Sequence, residues 1–173
     1  MNIVLIGYRG TGKTVVGEII AVRLGMPYMS MDAEIVKMAG MSIPQIVEKY
    51  DWKTFRDMES KKARELGGRN KIIIDTGGGI IERLENITAL QANALIFWLK
   101  ASVDTIVSRI QDDTDRPALT DEKTFTEEIE DVLEPRIPKY KSAAQYEIDT
   151  DNLTPEQVAD RIINIVSKVR NKG

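Results

Sequence analysis

The chain contains no cysteine and no histidine among its 173 residues. Without cysteine there is no disulfide framework, no thiolate nucleophile and no Cys-ligated zinc. Without histidine, Ser-His-Asp chemistry and imidazole-ligated metals are excluded. Any general base has to be a carboxylate, a lysine or a tyrosine. Charge of one sign is also lacking: 24 basic and 27 acidic side chains leave a net charge of −3. That balance is not the basic footprint of a nucleic-acid binder, although a cleft can focus positive charge that the total hides. No run approaches the roughly 18 consecutive apolar residues of a membrane span. The opening MNIVLIGYRG has an apolar stretch but no basic region ahead of it and no small-residue cleavage site. It reads as a first strand rather than a signal peptide, so a cytoplasmic protein with no membrane or nucleic-acid partner is expected.

What is present is ordinary globular composition, 42% apolar and 29% charged, in a length that suits one domain spanning 1–173. Apolar β-rich runs alternate with helical patterns. Strands are predicted over 2–6, 28–31, 71–75, 94–99 and 146–149. Helices are predicted over 13–24, 33–39, 48–66, 82–92, 103–110 and 155–169, and over 125–140 with interruptions at Pro135 and Pro138. Ser42 is expected to cap a further helix, with Gln45 at the capping-box spacing. Residues 111–123 are polar, acidic and rich in turn formers. The alternation implies an α/β fold, a parallel sheet with helices on both faces.

Residues 7–14, Gly-Tyr-Arg-Gly-Thr-Gly-Lys-Thr, satisfy G-x-x-x-x-G-K-[ST]. They lie between a predicted strand and a predicted helix, the context in which such a loop turns its backbone N–H groups onto phosphate oxygens. Gly10, Thr11, Gly12, Lys13, Thr14 and Val15 are therefore the expected nucleotide contacts. Lys13 would reach the β- and γ-phosphates and Thr14 would place its hydroxyl on Mg²⁺. A GTPase is a poor reading. Asp75-Thr76-Gly77-Gly78 satisfies DxxG, but neither Asn70-Lys71 nor Asn171-Lys172 continues to an Asp two residues on, as guanine recognition requires.

Further marks follow in order: Ser30-Met31-Asp32-Ala33-Glu34-Ile35, Ser42-Ile43, Phe55-Arg56 with Glu59, Thr76-Gly77-Gly78-Gly79, Arg116-Pro117-Ala118-Leu119, and Arg136 four residues before Tyr140. With the phosphate loop, this set resembles the shikimate kinases, and the resemblance runs from the first strand to the last helix. It implies a P-loop fold with a five-stranded parallel sheet, a substrate-binding helical segment at about 32–60 and a lid at about 110–124. The implied activity is transfer of the γ-phosphoryl of ATP, with Mg²⁺, to the 3-hydroxyl of shikimate in the pathway to chorismate and the aromatic amino acids. The family's habit implies a monomer. A related kinase for gluconate or a nucleoside monophosphate, or a non-catalytic nucleotide-binding regulator, are the alternatives.

Carried over position by position, the resemblance gives Asp32 as the aspartate that binds the acceptor hydroxyls and takes the reacting proton. Arg56 and Arg136 hold the acceptor carboxylate. Gly78 and Gly79 belong to the loop whose backbone contacts the acceptor. Arg116 is the lid arginine over the phosphates, catalytic together with Lys13 and Asp32, and Arg109 and Pro155 lie near the adenine. The chemistry agrees: two planar guanidinium groups orient a carboxylate, and phosphoryl transfer depends on positioning and charge neutralisation. Trp52 and Trp98 read as packing residues.

The chain departs from the family at three places. Ser30-Met31-Asp32 stands where Asp-x-Asp is usual, so the aspartate that helps organise the Mg²⁺ waters is a serine. Asp51-Trp52 replaces the usual Gly-Glu. Asp75 stands two before the triple glycine, where a small residue is common. Two readings of Asp75, which ends a strand beside the phosphate loop, stand side by side: it takes over the metal-organising work as a Walker-B acid does, or it merely caps the loop that follows.

Overall fold

The computed structural model describes residues 1–110 and 125–171. Strands β1 (Asn2–Ile6), β2 (Tyr28–Ser30), β3 (Ile73–Asp75), β4 (Ala94–Lys100) and β5 (Tyr146–Asp149) form one sheet in the order β2-β3-β1-β4-β5, with every pairing parallel. β1 is buried along its whole length, which is why its sequence reads as a continuous apolar run rather than an alternating one. Its side chains divide by parity. Val4 and Ile6 join the core on one face with Ala63, Leu66, Ile87, Leu90 and Tyr140. Ile3 and Leu5 join the opposite core with Val16, Ile20, Val158 and Ile162.

The helices sort accordingly. Helices α1 (Lys13–Leu24) and α9 (Pro155–Arg170) cover the face of Ile3 and Leu5. The other face is covered by α4 (Trp52–Gly67), α5 (Leu84–Gln91), α6 (Val103–Ile110), α7 (Phe125–Leu133) and α8 (Ile137–Ala143). The remaining helices, α2 (Met31–Ala39) and α3 (Ile43–Lys49), pack with α4 around a satellite core of Ile35, Ile46 and Phe55. The result is the three-layer P-loop architecture, with β1 at the point where the strand order reverses. Ligands bind beyond the carboxyl ends of the strands at such a point.

Several boundaries differ from the sequence reading, each for a local reason. The second strand ends at Ser30 rather than Met31, because the Ser30 hydroxyl accepts from the Ala33 N–H at 3.3 Å and starts α2 there. The helix expected over 48–66 is two helices. Asp51 breaks it by accepting from the Thr54 N–H at 2.6 Å and capping α4. The third strand is shorter than 71–75, since Lys71 adopts φ 55, a turn conformation disfavoured in a ladder. The helix expected over 82–92 opens as a 3-10 turn at Ile80–Glu82, and Arg83 is extended before α5 begins. The segment 125–140 is α7, a 3-10 turn at Glu134–Arg136, then α8, as the two prolines require. Ser42 and Gln45 do form both bonds of a capping box. Among the described residues no helix is long and apolar enough to cross a membrane. The segment read as a lid, about 110–124, lies outside the described residues from 111 on.

The α4–α5 crossing is tight: a Cβ on Gly67 would stand 2.3 Å from the Ala89 carbonyl oxygen. Backbone cannot yield as a side-chain tip can, so Gly67→Ala should separate the helices. Chemical denaturation should show a loss of about 1–3 kcal/mol, and a wild-type midpoint would refute the packing argument.

Candidate active site

The phosphate loop follows β1, and its shape depends on glycine. A Cβ on Gly7, at φ +145, would meet the Leu99 carbonyl oxygen at 2.3 Å, and Gly10 and Gly12 also have positive φ. Helix α1 starts at Gly12 without a side-chain cap, so its positive end faces the loop. The Lys13 ammonium is buried and donates to the carbonyls of Gly7 at 2.9 Å and Tyr8 at 3.0 Å. Burial pushes its pKa down, while the charges of Asp75 and Asp32 pull it up. Arg109 donates to the Gly10 carbonyl at 3.3 Å and to the Thr150 hydroxyl and carbonyl at 3.0 and 2.9 Å, tying the loop to the end of β5. Arg109, Val15 and Pro155 line the same cleft of about 630 Å³ as the phosphate loop.

Strand register brings the next groups alongside. Ser30 and Asp75 are direct partners in the β2–β3 ladder, and Asp75 is also the partner of Leu5 in the β1–β3 ladder. The Thr14 hydroxyl donates to Asp75 Oδ2 at 2.7 Å, and the Tyr28 hydroxyl donates to the same oxygen at 2.8 Å. Ser30 is occupied as the cap of α2. The carboxylate at the paired position of the neighbouring strand reaches the loop threonine.

A second cavity, of about 450 Å³, adjoins the first. Arg9, Asp32, Gly77 and Gly78 line both. Arg56, Arg136, Gly79 and Trp52 line the second. Asp32, in the first turn of α2, lies against the glycine loop so closely that a Cβ on Gly77 would be 2.7 Å from its Oδ1. A Cβ on Gly79 would be 2.2 Å from Arg56 Nη1. Each arginine is braced by a carboxylate. Arg56 Nη1 donates to Glu59, a buried residue whose pKa burial raises against the pull of Arg56. Arg136 Nε donates to Glu82 Oε1 at 2.7 Å, and Lys139 donates to the other oxygen. Burial tends to raise the Glu82 pKa, but hydrogen bonds from Lys139 and Arg136 hold it below the ordinary range. The Tyr140 hydroxyl donates to the Gly78 carbonyl at 2.5 Å and fixes that peptide.

The structure therefore brings together the expected residues, from the loop glycines through Lys13 and Thr14 to Asp32, Arg56, Asp75, Gly78, Gly79, Arg109, Arg136 and Pro155. Arg116 lies outside the described residues. Three groups were missed. Tyr28 and Glu82 act across 47 and 54 positions of sequence, and nothing local signals such a pairing. Trp52 is a correction: it is 58% exposed, and lines the second cavity instead of filling a core, although Trp98 is buried and stacked on Tyr140 as packing. Aromatic identity gave no signal, but the position of Trp52 at the first turn of α4, one turn before Arg56, could have.

Comparison with known proteins gives a consistent result. A family model described as shikimate kinase matches residues 9–167. The chain is similar to a shikimate kinase of Thermodesulfovibrio yellowstonii, 40% identical over 98% of this chain and 97% of the relative. It is similar also to one of Caldicellulosiruptor bescii, 38% identical over 95% and 94%. Among solved structures, a shikimate kinase from Acinetobacter baumannii in complex with shikimate superposes with a TM-score of 0.89, at 32% identity, covering 96% of this chain and 93% of that one.

Gly79 separates folding from binding. Its Cβ would collide with the tip of a flexible side chain, so Gly79→Ala should fold normally while displacing the Arg56 guanidinium. Calorimetric titration with a polyhydroxylated carboxylate should show affinity lowered roughly tenfold, the loss of one charge-assisted bond, at an unchanged Tm. Unaltered affinity would mean that Arg56 does not hold the ligand.

Proposed function

This chain belongs to the shikimate kinase family, and from that premise we propose how its residues divide the ATP-dependent phosphorylation of shikimate. The observation that carries the assignment is the shared wall of the two cavities. Asp32 stands at the boundary between a cleft built for a triphosphate and a cavity holding two braced arginines.

The loop amides and the end of α1 bind the β- and γ-phosphates, with Gly10, Thr11, Gly12 and Val15 along the nucleotide and Arg109 and Pro155 toward the base. Lys13 neutralises charge on the transferring group. Arg116 is assigned to the same task from the lid. Arg56 and Arg136 take the acceptor carboxylate. Glu59 and Glu82 hold their guanidinium planes, so little rotamer freedom remains to be lost on binding. The backbone of Gly78 and Gly79 meets the acceptor ring. Asp32 accepts a hydrogen bond from the 3-hydroxyl. As that oxygen bonds to the γ-phosphorus and the bond from phosphorus to the β–γ bridging oxygen breaks, the hydroxyl proton passes to Asp32, leaving ADP and shikimate 3-phosphate.

A kinase of this family uses a divalent metal, and the residues present suit Mg²⁺. The donors are hard oxygens, and Mg²⁺ is commonly held by one or two protein oxygens plus the phosphates. Thr14 has a single hydroxyl proton, and it is committed to Asp75, which leaves the oxygen's lone pairs for a cation. When bound, Mg²⁺ neutralises the β- and γ-oxygens. We place the enzyme in the cytoplasm, as a monomer.

ATP consumption by the purified protein with Mg²⁺ should be stimulated by shikimate and not by gluconate or AMP. Asp32→Asn should lower kcat by roughly a hundredfold or more, and Arg56→Ala should chiefly raise the KM for shikimate. Stimulation by AMP or gluconate instead would overturn the acceptor assignment. For the metal, Asp75→Asn should raise the Mg²⁺ concentration giving half-maximal rate by roughly tenfold or more, and Ser30→Ala should leave it near wild type. Equal small effects would remove Asp75 from the site.

A further inference from the structure

Asp75 ends a short strand, and a carboxylate turns easily about its last torsion. What fixes it is visible on the side away from the nucleotide. Tyr28 begins β2, two residues before Ser30, and its hydroxyl donates to Asp75 Oδ2 at 2.8 Å. That oxygen already receives the Thr14 hydroxyl at 2.7 Å. Thr14 and Asp75 line the nucleotide cleft, and Tyr28 does not. The ring reaches Asp75 by passing under α1, where Gly17 leaves room: a Cβ there would stand 2.8 Å from Tyr28 Cε2.

We infer that Tyr28 is a positioning residue, whose phenol clamps Asp75 so that the Thr14 hydroxyl keeps its proton on the carboxylate and its lone pairs toward the metal. Two O–H donors converging on one carboxylate oxygen fix its rotation, and bonds of this kind to an ionised acceptor are strong ones. A phenol, which ordinarily titrates at about 10, is a donor at neutral pH. A group holding the partner of a metal ligand governs affinity without touching the metal. The inference rests on the proposed metal role of Asp75. The competing view is that the ring only packs, since Tyr28 also lies against the core beneath α1.

Tyr28→Phe keeps the ring and removes only the hydroxyl. The measurement is Mn²⁺ binding to the enzyme–ADP complex, followed by electron paramagnetic resonance, with Asp75→Asn in parallel. Metal-free ADP binding and Tm are recorded for each protein. A Mn²⁺ affinity lowered roughly tenfold in Tyr28→Phe, with metal-free ADP binding and Tm kept, is the expected result. Wild-type Mn²⁺ affinity in Tyr28→Phe alongside weakened binding in Asp75→Asn would overturn the clamp and leave Asp75 in its role. Wild-type affinity in both would overturn the two together. A Tyr28→Phe protein that loses stability or metal-free ADP binding, at unchanged Mn²⁺ affinity, would also overturn the inference, because the hydroxyl would then serve only the fold.

Discussion

The site depends on three strands ending together. β2, β3 and β1 are parallel and in register, with Ser30 opposite Asp75 and Asp75 opposite Leu5. Neighbouring strands lie about 4.8 Å apart, so the loops leaving their carboxyl ends come within hydrogen-bond reach of each other. Thr76 extends the pairing past the ladder, its N–H and hydroxyl both donating to the Leu5 carbonyl. Parity then decides which layer each side chain serves. Ile73 belongs to the core under α1, Ile74 to the opposite one, and Asp75, two beyond Ile73, reaches Thr14 on α1. A slip of one residue would carry the acid to the wrong face, and the phosphate loop would lose it.

Charge is handled the same way in each part of the site. Lys13, Arg56 and Arg136 are partly or wholly removed from water, and each has an oppositely charged or strongly accepting neighbour. Lys13 has the Gly7 and Tyr8 carbonyls with Asp75 and Asp32 nearby, Arg56 has Glu59, and Arg136 has Glu82. Desolvation and attraction oppose one another. For Glu59 burial wins and its pKa rises, whereas for Glu82 the two cations win and its pKa falls. The difference follows exposure, Glu59 being fully interior and Glu82 about a quarter exposed at its side chain. Such pairs contribute little to stability. Their effect is orientation, since Glu82 takes the Nε of Arg136 and fixes the plane of that guanidinium.

Much of this was legible in the sequence, and the reason is locality. β1, α1, α6 and β5 begin and end where the apolar periods do. The loop glycines sit where positive φ is needed, and the capping signal of Ser42 and Gln45 is carried within four residues. What failed was either a cap competing with a helical pattern or a contact between distant segments. Asp51 looked like one more polar residue in a long helix, and only its bond to the Thr54 N–H reveals it as a boundary. Ser30 looked like a lost acid, and its real occupation, starting α2, depends on where the strand stops. The arginines were found through the resemblance to a family, and Glu59 stands three residues from Arg56 on the same helix. Glu82, which aims Arg136, lies on another element, and periodicity carries no information about that.

Ser30 and Asp75 together show how a parallel sheet tolerates rearrangement of a site. The resemblance puts an acid at the position of Ser30, the last residue of β2, and here the adjacent strand carries an acid, Asp75, at the paired position. Paired positions share a face and differ by one strand spacing, and Asp75, one strand over from Ser30, reaches the Thr14 hydroxyl. An acid beside a buried ammonium has to be held in place. The Lys13 ammonium is favoured in its charged form by Asp75, and Tyr28, on the adjacent strand β2, donates to the carboxylate from outside the cleft. On the proposed role of Asp75, register alone would thus keep an acid at the phosphate loop from a different strand.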